Sequence, residues 1–238
     1  MSVNPLFISS SENKLEILVQ PDTIVYSVID ENDNVMLRQE INMLPGKSAD
    51  IAFYEHFFNQ PELKIQSENV SVVFENNSYQ LIPSELFREK DMNLFFETEH
   101  GKSEYERLHY LVLPKWGVHF VCRIPDKMTS FFQSKYPEIA IEHHVSNLMK
   151  NRIAKNENEL TALVRKGMVD ILVVKADQLV LVNSFETTTP EDTLYCLLKV
   201  YEQLELDVKT YPLCVMFKSA EDEKLMLLLK SYFQNIKN

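Results

Sequence analysis

Carboxylates spread along alternating segments, a pair of adjacent histidines and a lysine–glycine turn are the groups in this sequence best able to do chemistry. Clustered carboxylates could hold two metal ions for hydrolysis. The nearest set, Glu16, Asp22 and Asp170, lies on segments whose alternation scatters the side chains over opposite faces. His143 and His144 are adjacent, so they point to different sides of a helix or strand and share a metal poorly; surface or capping roles are expected for them. Lys166-Gly167 could meet an anion, because a residue without Cβ lets backbone N–H groups close around it. Its plainer reading is a solvated turn. Thr189-Pro190-Glu191-Asp192 reads as a helix start, with Thr189 as N-cap, Pro190 at the first helical position and acids in the first turn.

Composition narrows the partners. The 238 residues are 45% apolar and 25% charged, enough for a sizeable core without staples. The net charge of −11 repels phosphate backbones and argues against nucleic acid. The densest basic groups, Lys150, Arg152 and Lys155, then Arg165 and Lys166, are short and read as solvated surface. Cys122, Cys196 and Cys214 are odd in number, widely spaced and set in apolar runs. They fit neither a disulfide framework nor a zinc pattern, and buried free thiols imply a reducing, cytoplasmic setting. The start, MSVNPLFISSSENK, lacks the basic and apolar parts of a secretion signal. No segment approaches the ~20 apolar residues that span a bilayer.

The elements that would position these groups follow from periodicity. Lys14 to Gln20, Thr23 to Asp30 and Val35 to Ile41 read as an antiparallel meander broken at Pro21-Asp22 and at Glu31 to Asn34. Ser48 to Asn59 puts Ile51, Tyr54, Phe57 and Phe58 on one helical face, and Val70 to Glu75 is a short strand. The order then recurs. Glu159 to Arg165, Met168 to Lys175 and Gln178 to Phe185 are strands, the last with Phe185 entering the core. Pro190 to about Leu204 is a helix, Pro212 to Phe217 a strand, and Asp222 to about Asn235 a helix. Spacing is nearly constant between the copies: Ile24 answers Val169, Val35 answers Val180 and Ser48 answers about Glu191. Between them, Leu94 to Thr98 and Leu108 to Leu113 read as an inserted strand pair, near 92–117. Trp116 falls in a half-buried turn. Val118 to Ile124 is a strand, Pro125-Asp126 starts a helix to about Lys135, and Glu138 to Ile141 is a short strand followed by helix. The polar run Lys150 to Asn158 is the expected linker. The implied division is 1–150 for the first unit and 151–238 for the second, shorter one.

Three antiparallel strands, a helix, a strand and a helix is the order of the ribonuclease H-like fold, and two in tandem resemble the actin-like ATPases. The segments VVKADQLVLVNSFETTTPEDTLYCLLKVYEQLELD (173–207) and VSVVFENNSYQLIPSELF (70–87) resemble the bacterial DUF3822 family. That resemblance implies an actin-like ATPase fold without an assigned function: an α/β protein of two units, each a mixed five-stranded sheet with flanking helices. The run LVLPKWGVHFVCRIPDKMTSFF (111–132) is similar, more loosely, to the actin-like domains of secretion and pilus assembly proteins, which act as scaffolds.

Actin-like ATPases hold phosphates between two hairpin turns, one per unit, and the resemblance places Glu16, Asp22, Lys166 and Gly167 as the cleft candidates. The first turn, Val19 to Thr23, has no glycine, and Pro21 removes an N–H. The second, Arg165 to Met168, has one glycine and no acid before it; the whole chain has four glycines. The expectation is an inactive actin-like scaffold or protein-interaction module, without cofactor or metal. The rivals are a nucleotide-binding switch with an altered loop and a small-ligand sensor. Partner and oligomeric state are not readable at this level.

Overall fold

Period-two alternation makes Lys14 to Val19 the central strand of a sheet, because every second residue must leave water. In the computed structural model, residues 13–32, 34–42, 51–58, 69–103, 106–155, 157–218 and 222–237 are described. The chain divides into two units, Met1–Leu148 and Met149–Asn238.

In the first unit, β1 (Lys14–Val19) pairs antiparallel with β2 (Thr23–Ile29), and β2 with β3 (Val35–Asn42). The β2–β3 turn is built by Asp30, whose Oδ1 accepts from the N–H groups of Asn32 and Asn34 at 2.9 and 2.8 Å. Helix α1 (Ile51–Phe58) leads on to β4 (Asn69–Phe74), which lies parallel to β1. Before the sheet is completed, the chain inserts β5 (Tyr79–Pro83), α2 (Met92–His100), β6 (Glu106–Leu113), β7 (Val118–Pro125) and α3 (Asp126–Lys135). β8 (Ala140–His143) then pairs parallel with β4, giving the order β3-β2-β1-β4-β8. β5, β7 and β6 form a separate antiparallel sheet.

The core of this unit is aromatic. Tyr54 and Phe58 of α1 meet Phe132 of α3 edge to face, at ring separations of 6.1 and 5.7 Å, and Phe74 of β4 joins from the sheet at 6.3 Å. The side chain of Phe57 and the residues 44–50 before α1 lie outside the described residues. Each such buried ring contributes about 1.5–3 kcal/mol.

Residues 92–100, read as a strand from Leu94-Phe95-Phe96, are the helix α2. A short apolar run carries no period of its own, so length and flanks decide. Only Phe96 is buried, one turn after Met92, and Gly101 at φ 70° stops the helix. The inserted strand pair is therefore β6 and β7, joined through Pro114-Lys115-Trp116 and a left-handed Gly117. Trp116 is half-buried there.

Helix α4 (His144–Lys155) occupies the first six of the nine residues of the polar stretch expected to link the units, so that stretch is helical up to Lys155. In the second unit, β9 (Glu159–Arg165), β10 (Met168–Lys175) and β11 (Gln178–Glu186) form a meander. Helix α5 (Pro190–Gln203), β12 (Leu213–Phe217), α6 (Glu223–Tyr232) and β13 (Ile236–Lys237) follow. The order β11-β10-β9-β12-β13 repeats that of the first sheet, with β9, β12 and β13 parallel. Both are mixed five-stranded sheets with helices packed on them. One core face joins Ile171 and Val173 to Leu197 and Tyr201 of α5 and to Leu229 of α6, with Phe185 half-buried against it.

Helix α5 starts as its sequence dictates. Thr189 Oγ1 accepts from the Asp192 N–H at 3.1 Å, and Asp192 Oδ2 accepts from the Thr189 N–H at 2.9 Å, with Pro190 in the first turn.

Candidate functional site

In the second unit, a depression of about 230 Å3 opens where β9 and β12 end and α5 and α6 begin. The β9–β10 turn supplies Lys166 and Gly167, and Gly167 takes the left-handed φ of 72° that a two-residue hairpin needs. Thr187, buried, follows β11 and donates its N–H to the Gly167 carbonyl at 3.0 Å. Thr193, also buried, and Thr189 come from the first turn of α5, and Asp222 caps α6 by accepting from the Leu225 N–H at 3.0 Å. Two helix N-termini thus line one hollow, which favours a negative or hydroxylated guest.

The carboxylates nearby are already engaged. Bonds from the Thr188 side chain and N–H, then from Thr189, hold the Asp192 carboxyl below its ordinary range. Glu191 meets Lys224 at 3.2 Å, joining the two helix starts. Lys166 and Gly167, read from the sequence as candidates for a cleft between the units, line this hollow of the second unit with the Thr189 cap. Sequence reasoning missed Thr187, Thr193 and Asp222 as neighbours of that turn. A run of three threonines between a strand end and a helix start was the available signal.

Two residues expected on the surface are buried instead. Arg165 grips Asp170 with Nε to Oδ2 at 2.7 Å and Nη2 to Oδ1 at 3.0 Å, and Ser184 donates to the same carboxylate. Arg152 pairs with Glu159, which also accepts from Thr161 at 3.2 Å and Lys237 at 3.4 Å. Both guanidiniums leave water because each finds a buried carboxylate, Asp170 at 1% exposure and Glu159 at 0%. Lys166 stays exposed; the Lys155 side chain lies outside the described residues.

In the first unit, the β1–β2 turn is closed by its own bonds. The Gln20 N–H donates to the Thr23 carbonyl at 2.8 Å, and Thr23 Oγ1 donates to Asp22 at 3.2 Å. Gln20 Nε2 donates to both oxygens of Glu75 at 3.1 Å. Glu75, buried just past β4, is another residue the sequence did not bring forward; Gln20 lies beside it because β1 and β4 run parallel in register. Glu16 sits mid-strand opposite Ser27, three register positions from the last pair before the turn, and bonds Lys14 at 3.2 Å. Glu16 and Asp22 are therefore not brought to one place.

His143 and His144 are buried, not on the surface. Nδ1 of His143 accepts from the Val145 N–H at 3.2 Å, so Nε2 carries the proton and donates to the Asn76 carbonyl at 3.1 Å. His143 thus caps the start of α4, and the role expected of it holds in that part. Among the described residues, no group of three or more His, Cys, Asp or Glu is arranged to hold a metal. Cys122 and Cys214 are buried and Cys196 half-buried, all as free thiols, and burial pushes the Cys122 thiol up to about 12. No described helix is long and apolar enough to cross a membrane.

The sequence profile of DUF3822, described as a protein of unknown function, matches residues 6–236. No curated protein matches. A Bacteroides thetaiotaomicron protein described as having an actin-like ATPase fold and unknown function superimposes with a TM-score of 0.79 at 26% identity, covering 99% of this chain and 93% of its own. A PilM-PilN type IV pilus biogenesis complex superimposes at TM-score 0.52 and 10% identity, covering 94% and 87%. The ethanolamine utilization protein EutJ from Carboxydothermus hydrogenoformans does so at 0.51 and 11%, covering 99% and 86%. The last two share the fold alone. The two mixed sheets thus belong to a chain with an actin-like ATPase fold.

Proposed function

Since the chain belongs to the DUF3822 family of proteins of unknown function and superimposes on a protein with an actin-like ATPase fold, we propose that it is a non-catalytic actin-like scaffold or protein-interaction module. One observation carries this reading. The β1–β2 turn has its Gln20 N–H committed to Thr23, lacks glycine, and holds Pro21, which has no N–H at all. A phosphate cradle needs several free amides converging on one point, and this turn has the Gln20 amide committed and none at Pro21. The likeness to a chain of the PilM-PilN complex is consistent with it, since that structure is of a protein assembly. The free thiols agree with a reducing, cytoplasmic setting. The net charge of −11 favours a protein over a nucleic-acid partner.

Thermal unfolding with ATP or GTP and magnesium tests it. A ligand at 100 times its dissociation constant adds about 2.7 kcal/mol of stability, which raises the melting temperature several degrees. No rise and no hydrolysis are expected, and a rise of that size with ATP overturns the reading.

The hollow between the starts of α5 and α6 favours a second reading, a switch that binds a nucleotide or other small anion through the second unit. Under it, Lys166→Ala and Thr193→Val each abolish a ligand-induced rise seen in the parent chain.

A further inference from the structure

The three-stranded sheet of the first unit ends on β6, which among the described residues pairs with β7 alone. Exposed edges invite pairing, and proteins usually blunt them with proline, charge or a bulge. β5, the other edge of this sheet, ends in Pro83. The edge strands β3 and β11 each pair with their neighbour through a register shift. β6 has neither device. It pairs with β7 in unbroken register over eight residues, and its only charged residues, Glu106 and Arg107, sit at one end. From Leu108 to Leu113 it carries no carboxylate, lysine or arginine, while Tyr110 is 43% exposed and Val112 45% exposed.

Hydrogen-bond phase decides which amides face outward. The Arg123 N–H bonds the Ser78 carbonyl on the β5 side, so the odd residues of β7 serve β5 and the even ones serve β6. Cys122 lies opposite His109, so the odd residues of β6 bond β7, and Leu108, Tyr110 and Val112 turn their N–H and C=O outward. We infer that β6 is a self-association edge: two copies of the chain pair antiparallel through Leu108 to Val112, centred on Tyr110.

A second copy fits this edge better than an unrelated strand, for two reasons. With Tyr110 opposite Tyr110, the outward residues match outward residues, and Leu108 of each copy meets Val112 of the other. The outward pairs are then aromatic or aliphatic, His109 of each copy falls opposite Leu111 of the other, and Glu106 and Arg107 lie beyond the contact. A chain of net charge −11 also repels its own copy, and a strand without carboxylates from Leu108 to Val112 adds nothing to that repulsion at the contact. The contact does not depend on the turn chemistry above. Five residues a side cover less than the ~1,200 Å2 of a stable interface, so association is weak and concentration-dependent.

Sedimentation equilibrium of the full chain, from about 10 μM to about 500 μM, reads it directly. The average mass rises toward that of two chains, and amide exchange at Leu108, Tyr110 and Val112 slows with concentration. Val112→Lys, at an exposed position, keeps the melting temperature and weakens association at least tenfold. Tyr110→Pro removes an outward amide while leaving the β6–β7 bonds in place, and it abolishes association. A chain that stays monomeric throughout overturns the inference and leaves the edge to a foreign strand. A dimer that survives Val112→Lys unchanged overturns it as well.

Discussion

The two units thread the same strand order through different interiors. The first relies on hydrocarbon and rings, with Tyr54, Phe58, Phe74 and Phe132 meeting around one point. At the position where Val25 lies opposite Leu18, the second unit has Asp170 opposite Leu163 and bonds it to Arg165. One backbone plan thus tolerates an apolar pair or a buried ion pair at the same place, provided every polar group is satisfied. The conditions that damage them differ accordingly.

The largest test of that contrast is Asp170→Ala. It strands the Arg165 guanidinium in the interior and costs about 3–5 kcal/mol in urea unfolding followed by circular dichroism. Val25→Ala, its counterpart, removes only hydrocarbon and costs about 2 kcal/mol. Equal costs would erase the distinction. Next comes Thr189→Ala, which opens the cap of α5 and costs about 1 kcal/mol by the same measurement.

Acid separates the units more gently. All six histidines lie between positions 56 and 144, in the first unit. Burial first, then the Arg107 charge, holds the His109 imidazole below its usual 6.5. The unfolded chain therefore takes up a proton as pH falls through 6.5 while the folded one does not. The stabilisation is full above 6.5 and declines below it. Asp192 behaves in the same sense at lower pH: Thr188 holds its carboxyl low, so its contribution persists until pH falls below its ordinary 3.8. Fluorescence of Trp116, the single tryptophan, reports the first unit alone. Its midpoint should drop between pH 7 and 5 while the α5 cap endures. The smallest expected effect is a labelling order. Cys196, half-buried, reacts with a thiol reagent before Cys122, whose thiol burial pushes up to about 12.

The second unit was almost fully readable in advance, because its strands are apolar, β-branched runs and the turns of its meander are two residues long. β9 and β10 match the bounds read from the sequence, and α5 starts at the residue its cap predicts. The first unit was less so. Leu94-Phe95-Phe96 has no period to choose between strand and helix, and β5 is five residues ending in proline. The burial of Arg152 and Arg165 escaped because a lone arginine looks solvated until its partner is known; Asp170 lies five residues on but across a turn. The candidate site was half legible. Lys166 and Gly167 announced themselves through turn chemistry, whereas Thr193 and Asp222 join them only once two helices are stacked on the sheet.

The insertion between β4 and β8 bears on assembly of the fold in time. β4 and β8 first meet at Ser71 and Ala140, 69 residues apart (140 − 71 = 69), whereas β12 and β13 meet at Leu213 and Ile236, 23 apart (236 − 213 = 23). Threefold more chain to close costs about 1 kcal/mol of additional entropy before any contact rewards it. The half made first on the ribosome is thus the half whose sheet closes across the longer loop, and β4 waits with one flank bare until residue 140 has been synthesised.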